Sequence, residues 1–226
     1  MNGSNIQMYT TSKLFDLNQT LARELLEQYE YPWEVLPLIG QYILSIGKDL
    51  SLQEYDLAGE NIWISKTAKI APSASITGPA IIGHGAEIRH CAFIRGNALV
   101  GDRAVVGNST ELKNVILFTQ VQVPHYNYVG DSILGHMAHM GAGSITSNVK
   151  SDKSLVILRF GEEIVETGFK KFGAILGDGV EVGCNSVMNP GTIIGRNSSV
   201  YPLSMVRGII PANSIHKNNG MIIEKK

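Results

Sequence analysis

Only two cysteines, Cys91 and Cys184, occur in 226 residues, and no C-x-x-C spacing links them. That excludes a disulfide framework and a zinc knuckle. No apolar run approaches the ~20 residues of a membrane span, and the polar opening MNGSNIQ lacks the form of a signal peptide. Neither sign of charge is in excess, with 19 basic against 20 acidic residues, so nothing suggests a nucleic-acid or membrane-surface binder. The chain is expected to be soluble and cytoplasmic. Charged residues are sparse at 17%, while glycine is frequent at 24 residues, a balance that points to tight turns and much β-structure. A chain of this length holds one good-sized domain plus a small appendage.

The chain has two unlike textures. Residues 12–48 carry Leu17, Leu21, Leu25 and Leu26 at helical spacing with Arg23, Glu24 and Glu27 between them. Pro32 opens a second stretch with Trp33, Leu36, Ile39, Tyr42, Ile43 and Ile46 apolar, and Gly47 is the expected stop. These features predict a helical region over residues 1–61, capping one end of the larger second part. A linker over 49–64 leads into a first strand, Ile62-Trp63-Ile64.

From Ile70 the period changes to six. Ile70, Ile76, Ile82, Ile88, Ile94, Val100, Val106, Leu112 and Phe118 are evenly spaced, the first seven each followed four residues later by a small residue from Ala74 to Thr110, with the larger Ile116 after Leu112. Leu176, Val182, Met188, Ile194, Val200 and Val206 repeat the pattern. Repeats of this kind mark a β-helix, so residues 62–226 are expected to be mainly β. One hexad is a short strand plus a corner, and three hexads make one triangular turn. Stacked turns lie about 4.8 Å apart, and their edges cover one another.

The period breaks in two places. Tyr128, Leu134 and Met140 restore it in a new phase, which predicts a register slip across 119–127, containing VPHYN. A second excursion, at about 150–171, contains LVILRFGEEIVETG and is expected to form a hairpin. Departures from a regular scaffold are where function tends to be placed. Arg95 and Lys113 each follow an interior aliphatic residue directly and are three hexads apart, so they stack on one outer face. Two cations held so close suit an anion between them, a candidate phosphate clamp, with a solvated basic face as the plainer explanation.

The runs IRGNALVGDRAVVGNSTELKN, VPHYNYVGDSILG and MGAGSITSN resemble the acetyltransferase domain of bacterial bifunctional N-acetylglucosamine-1-phosphate uridyltransferase/glucosamine-1-phosphate acetyltransferase. The run from Thr167 to Pro202 looks more like archaeal sugar-phosphate relatives. The resemblance covers about two thirds of the chain. It implies a left-handed parallel β-helix, acetyl-CoA as cosubstrate with no metal, a sugar-phosphate acceptor and a homotrimer with shared sites. By the same resemblance His125 is the general base, with Glu111 and Asn148 beside it. Arg95, Lys113 and Tyr128 hold the sugar phosphate, and His139 stands where the family has an asparagine that touches the amino sugar. Lys170 and Lys171 match the family's mobile lysine, with Lys153 a further candidate; Ala142, Cys184 and Pro202 fall at the cofactor wall. Val149 replaces a tyrosine and Cys184 a serine of that family, and no Gly-rich nucleotide loop precedes the repeats.

The chemistry is consistent with that set. Imidazole titrates near neutrality and can take a proton from an attacking nitrogen or hydroxyl. A thioester is already activated, and a backbone N–H such as that of Ala142 suits the oxyanion. Three other readings use the same scaffold: a sugar O-acetyltransferase, a non-catalytic sugar-phosphate or nucleotide-sugar binder, and a γ-carbonic-anhydrase-like zinc enzyme. The last needs histidines five apart, whereas His84/His90 are six apart and His136/His139 three.

Overall fold

A computed structural model describes residues 5–225. The first four residues of the polar opening and Lys226 lie outside the described residues. From Ile62 onward the chain winds as a left-handed parallel β-helix, its short strands stacked turn on turn into three flat faces. The first face runs through Ala80–Ile82, Ala98–Val100, Ala174–Leu176 and Thr192–Ile194. The second runs through Ser75–Thr77, Phe93–Arg95, Ile145–Thr146 and Val187–Met188. Two longer strands, Glu111–Leu117 and Tyr128–Leu134, turn the corner and serve both. A third face carries Val105–Asn108, Gln122–His125, His139–Met140 and Glu181–Val182.

The interior is the aliphatic column that the period predicts. Ile94, Leu112 and Val129 stack on the second face, as do Ile82, Val100, Leu117 and Leu134 on the first, all almost fully buried. The slip differs from its expected place. Phe93 and Glu111 pair three full hexads apart, but Ala98 and Val115 pair one residue short of that, so the lost residue falls at the corner holding Asn114. Asp131 makes the same shortened corner one turn on, and both residues take the left-handed backbone that so tight a bend demands. Consequently Leu117 rather than Phe118 points inward, and Val129 rather than Tyr128. Phe118 faces out and packs on Phe15, ring centroids 4.8 Å apart.

The N-terminal region does not cap an end. It lies along the first face, and that is why Ile81, Leu99, Ile116, Ile133, Ile175 and Ile193, which point away from the interior, are also buried. Leu14, Leu26, Trp33, Leu36, Ile39 and Ile43 supply the covering surface. Helix here comes in short pieces, of which Ile39–Gly47 is the longest; Pro32 opens the 3-10 turn just before it, and Pro37 within that turn removes a backbone donor. Gly47 ends that helix and also lets it approach the sheet, since a Cβ there would sit 2.5 Å from the Trp63 ring. The segment satisfies outward N–H groups of the coil as well: Thr119 donates to the Gln19 carbonyl and Asp178 to that of Leu14.

The excursion leaves the coil after Asn148 and rejoins it at Phe172, whose N–H donates to the Asn148 carbonyl at 3.0 Å. Within it, Ile157–Phe160 pairs antiparallel with Glu163–Glu166, the expected hairpin. One side of the hairpin is anchored within the chain: Phe160 lies 5.5 Å from Tyr9 and 6.1 Å from Trp33. No helix among the described residues is long and apolar enough to cross a membrane.

Candidate functional site

On the second face, rows of outward residues run up the coil. Glu111 and Tyr128 lie in one row, Arg95 and Lys113 in the next, as the three-hexad spacing requires. The two cations are not bare. Glu111 accepts from Arg95 at 2.6 Å, and this partner raises the guanidinium pKa further. Lys113 lies 3.4 Å from Asp131.

Asp131 stands in the VPHYNYVGDSILG run but has no expected role, although it follows Lys113 by the same three hexads that separate Lys113 from Arg95. It is 5% exposed and accepts from Asn114 at 3.0 Å and from Asn148 at 2.5 Å, besides Lys113. Asn148 also donates to the Tyr128 hydroxyl at 3.2 Å. Tyr128 folds flat over Gly130, where any Cβ would come within 2.5 Å of the phenol oxygen. Burial, then the Asp131 and Glu111 carboxylates, pushes the Tyr128 pKa up, so the phenol keeps its proton and can donate. Arg95, Glu111, Lys113, Tyr128 and Asn148 therefore form one cluster with Asp131 at its base.

His125 stands at the corner between the third and second faces. Its carbonyl accepts from Gly143, that of Ala142 from Asn185, and that of Cys184 from Leu203. His125, Ala142, Cys184 and Pro202 thus form one column along a single edge. Among the described residues the Ala142 N–H donates to no protein group, and it belongs to the turn directly above His125. Beside this column only glycine fits at Gly141 and Gly183, because a Cβ on either would run into the backbone of the next turn.

Asn127, in the same run, is a second residue with no expected role. It sits in the slot usually filled by Ala, Ser or Thr and is 2% exposed. Its side-chain oxygen accepts the His125 N–H at 3.1 Å, and its amide donates to the carbonyls of Gly141 at 2.9 Å and Ser144 at 3.1 Å. The available signal was a polar residue one turn after Thr110, in a column that is otherwise small.

Two groups stand apart within one chain. His139 lies on the third face, 2.8 Å from Glu181, at the edge of a hollow of about 380 Å³ with Gln122 and Arg103. Lys170 and Lys171 are exposed at the base of the excursion, on the far corner of the second face from His125; Lys153 lies further out on the same loop. Three other histidines are separately engaged, His84 with Ser65, His90 with Ser73 and His136 with the Thr119 carbonyl, and His216 lies buried in the last turn. No group of three or more His, Cys, Asp or Glu among the described residues could hold a metal ion.

The hexad coil and its motifs place this chain in the hexapeptide-repeat acyltransferase class. It belongs to the family described as the GMPPB C-terminal domain, whose model matches residues 76–195. Bifunctional protein GlmU of Methanococcus maripaludis (strain DSM 14266) is 34% identical over 199 residues, which is 87% of this chain and 48% of that protein. Its namesake from Methanococcus aeolicus is 37% identical over 120 residues, 53% of this chain and 29% of that one. The chain therefore spans half or less of the length of these curated relatives. A solved structure of AntD, an N-acyltransferase from Bacillus cereus in complex with dTDP and 3-hydroxybutyryl-CoA, aligns over 75% of this chain and 82% of that one, at 18% identity and a TM-score of 0.41. The resemblance read from the motifs is borne out by the GlmU relatives.

Proposed function

We propose that the chain transfers an acetyl group from acetyl-CoA to the amino group of a sugar phosphate such as glucosamine 1-phosphate. The observation that carries this reading is the meeting of two features at one edge: the His125–Ala142–Cys184–Pro202 column and the Arg95–Lys113–Tyr128–Asn148 cluster on the adjoining face. His125 takes the proton from the acceptor nitrogen as that nitrogen attacks the thioester carbonyl. The Ala142 N–H receives the developing oxyanion, and the thiolate of CoA leaves. The acceptor's phosphate lies against Arg95 and Lys113, with Glu111 and Asp131 fixing where those cations stand. In this reading Glu111 acts on Arg95 rather than on the base.

The cluster lies on an open face, while His139 looks out from the neighbouring one. A homotrimer with sites between copies accounts for both, letting one copy's His139, and its Lys170 or Lys171, complete another's site. A cytoplasmic location goes with the reading, since the free thiols of Cys91 and Cys184 stay reduced there.

The test is release of free CoA with glucosamine 1-phosphate, galactosamine 1-phosphate and unphosphorylated glucosamine as acceptors. Turnover with a phosphorylated amino sugar is expected. Activity on neutral sugars alone would refute the phosphate clamp, and turnover with hydroxyl acceptors alone would make the protein an O-acetyltransferase.

A further inference from the structure

A groove of about 550 Å³ opens beside the acceptor cluster, between the excursion and the coil. Its coil side is formed by Ser147, Asn189 and Arg207, which continue the row of Arg95 and Lys113 up the second face. Its other wall is the first hairpin strand, with Ile157 and Arg159 turned outward. The wall is held close by a glycine: at Gly191 a Cβ would sit 2.6 Å from Val156 and 3.0 Å from Leu158, so only a bare backbone lets the hairpin dock there. The groove is therefore a built feature of the fold, of the size that small-molecule sites usually have.

Its charge differs from that of the neighbouring cluster. Arg95 and Lys113 already face Glu111 and Asp131. Among the described residues neither Arg159 nor Arg207 makes an ion pair or a side-chain hydrogen bond, yet both line this one groove. A third cation, Lys150, is present, and the single carboxylate, Asp152, is occupied by its own turn through the Ser154 N–H and hydroxyl and lies 3.8 Å from Lys150. Two guanidiniums without carboxylate partners suit a phosphate group, which each can grip through two N–H bonds. Val149, Ile157 and Pro190 add apolar surface beside them, suited to the flat face of a base.

We propose that this groove is a second ligand site, taking the diphosphate and base of a nucleoside diphosphate, distinct from the clamp at Arg95 and Lys113. The two sites lie on one row, and Arg207 is four turns beyond Lys113, roughly 19 Å at ordinary strand spacing. A single phosphate cannot serve both. Ser147 and Val149 flank Asn148, so a nucleotide in the groove lies directly against the acceptor cluster. Nucleotide binding here stands or falls separately from acetyl transfer.

The experiment is calorimetric titration of the full chain with uridine 5′-diphosphate, repeated on Arg207→Gln, Arg159→Gln and Lys113→Ala. Both arginines are exposed, so their removal leaves the fold intact. Binding is expected in the parent chain, weakened about tenfold or more by either arginine change, as loss of a charge-assisted contact requires, and unaffected by Lys113→Ala. No binding in the parent chain overturns the proposal, and so does binding lost with Lys113→Ala but kept in Arg207→Gln. Coenzyme A serves as the second arm. If it displaces uridine 5′-diphosphate and itself loses affinity in Arg207→Gln, the groove belongs to the donor and the proposal fails.

Discussion

The side-chain oxygen of Asn127 accepts the backbone N–H of His125, while the amide of the same side chain holds the carbonyls of Gly141 and Ser144. One buried residue thus sets the distance between His125 and the loop that carries the Ala142 N–H. Replacing Asn127 with Ala leaves those backbone groups unpaired in the interior, which costs about 1–3 kcal/mol each at most sites of this kind. Asn127→Ala is expected to lower kcat by roughly ten- to a hundredfold, the scale of a misplaced catalytic group, with little change in the acceptor KM. Steady-state kinetics on folded variant separate the two; a rise in KM at constant kcat would contradict the assignment.

Lys113 tests the clamp. Removing a charge-assisted contact to phosphate is expected to raise the KM for glucosamine 1-phosphate about tenfold or more, leaving kcat within a few-fold. The discriminating measurement is the same pair of constants for unphosphorylated glucosamine. An equal loss with the neutral sugar would show that Lys113 acts through the fold and not on phosphate.

Trp33 reports on the covering of the first face. It is 3% exposed, stacks on Tyr31 at 4.7 Å and packs against Phe160 of the hairpin and Phe172. Truncating such a ring costs about 3–5 kcal/mol, a drop of roughly 10 °C in Tm for a chain of this size. Thermal denaturation of Trp33→Ala measures it, and a change of only a degree or two would mean that the N-terminal region adds little to the coil.

The fold was legible because its determinants are local. A hexad carries its own strand, corner and interior residue, so Ile70 to Leu112 declare the coil without any knowledge of distant contacts. Arg95 over Lys113 follows from the same arithmetic. What could not be read was anything that depends on a single dropped residue or on a partner remote in sequence. The shortened corner at Asn114 turned Phe118 outward, and only the presence of Phe15 explains why it is buried there. Apolar residues such as Leu99 and Ile116 signal a second covered surface, but the period cannot say that residues 6–47 supply it. Asp131 and Asn127 escape notice for a different reason: one lies just past the stretch read as a slip and the other at its end, and the role of each lies in bonds across turns.

His216 makes stability depend on pH. It stacks on Val200 in the last turn, its Nδ1 has no hydrogen-bond partner among the described residues, and burial pushes its pKa below the ordinary histidine value. The unfolded chain takes up the proton near pH ~6.5, whereas the native imidazole stays neutral to lower pH. The contribution is therefore full above about pH 6.5 and is lost as the pH falls below it. His216→Val is expected to flatten the fall in Tm between about pH 7.5 and pH 5. Parallel curves for the two proteins would remove the effect from His216.

His125 is proposed as the base of an acetyl transfer at this edge. The direct measurement is single-turnover release of CoA from acetyl-CoA and glucosamine 1-phosphate by His125→Asn, with folding verified by circular dichroism. A loss of about a hundredfold or more in rate, in the range of general-base catalysis, is the result expected, with acceptor affinity retained. A variant that turns over at the parent rate would contradict the account.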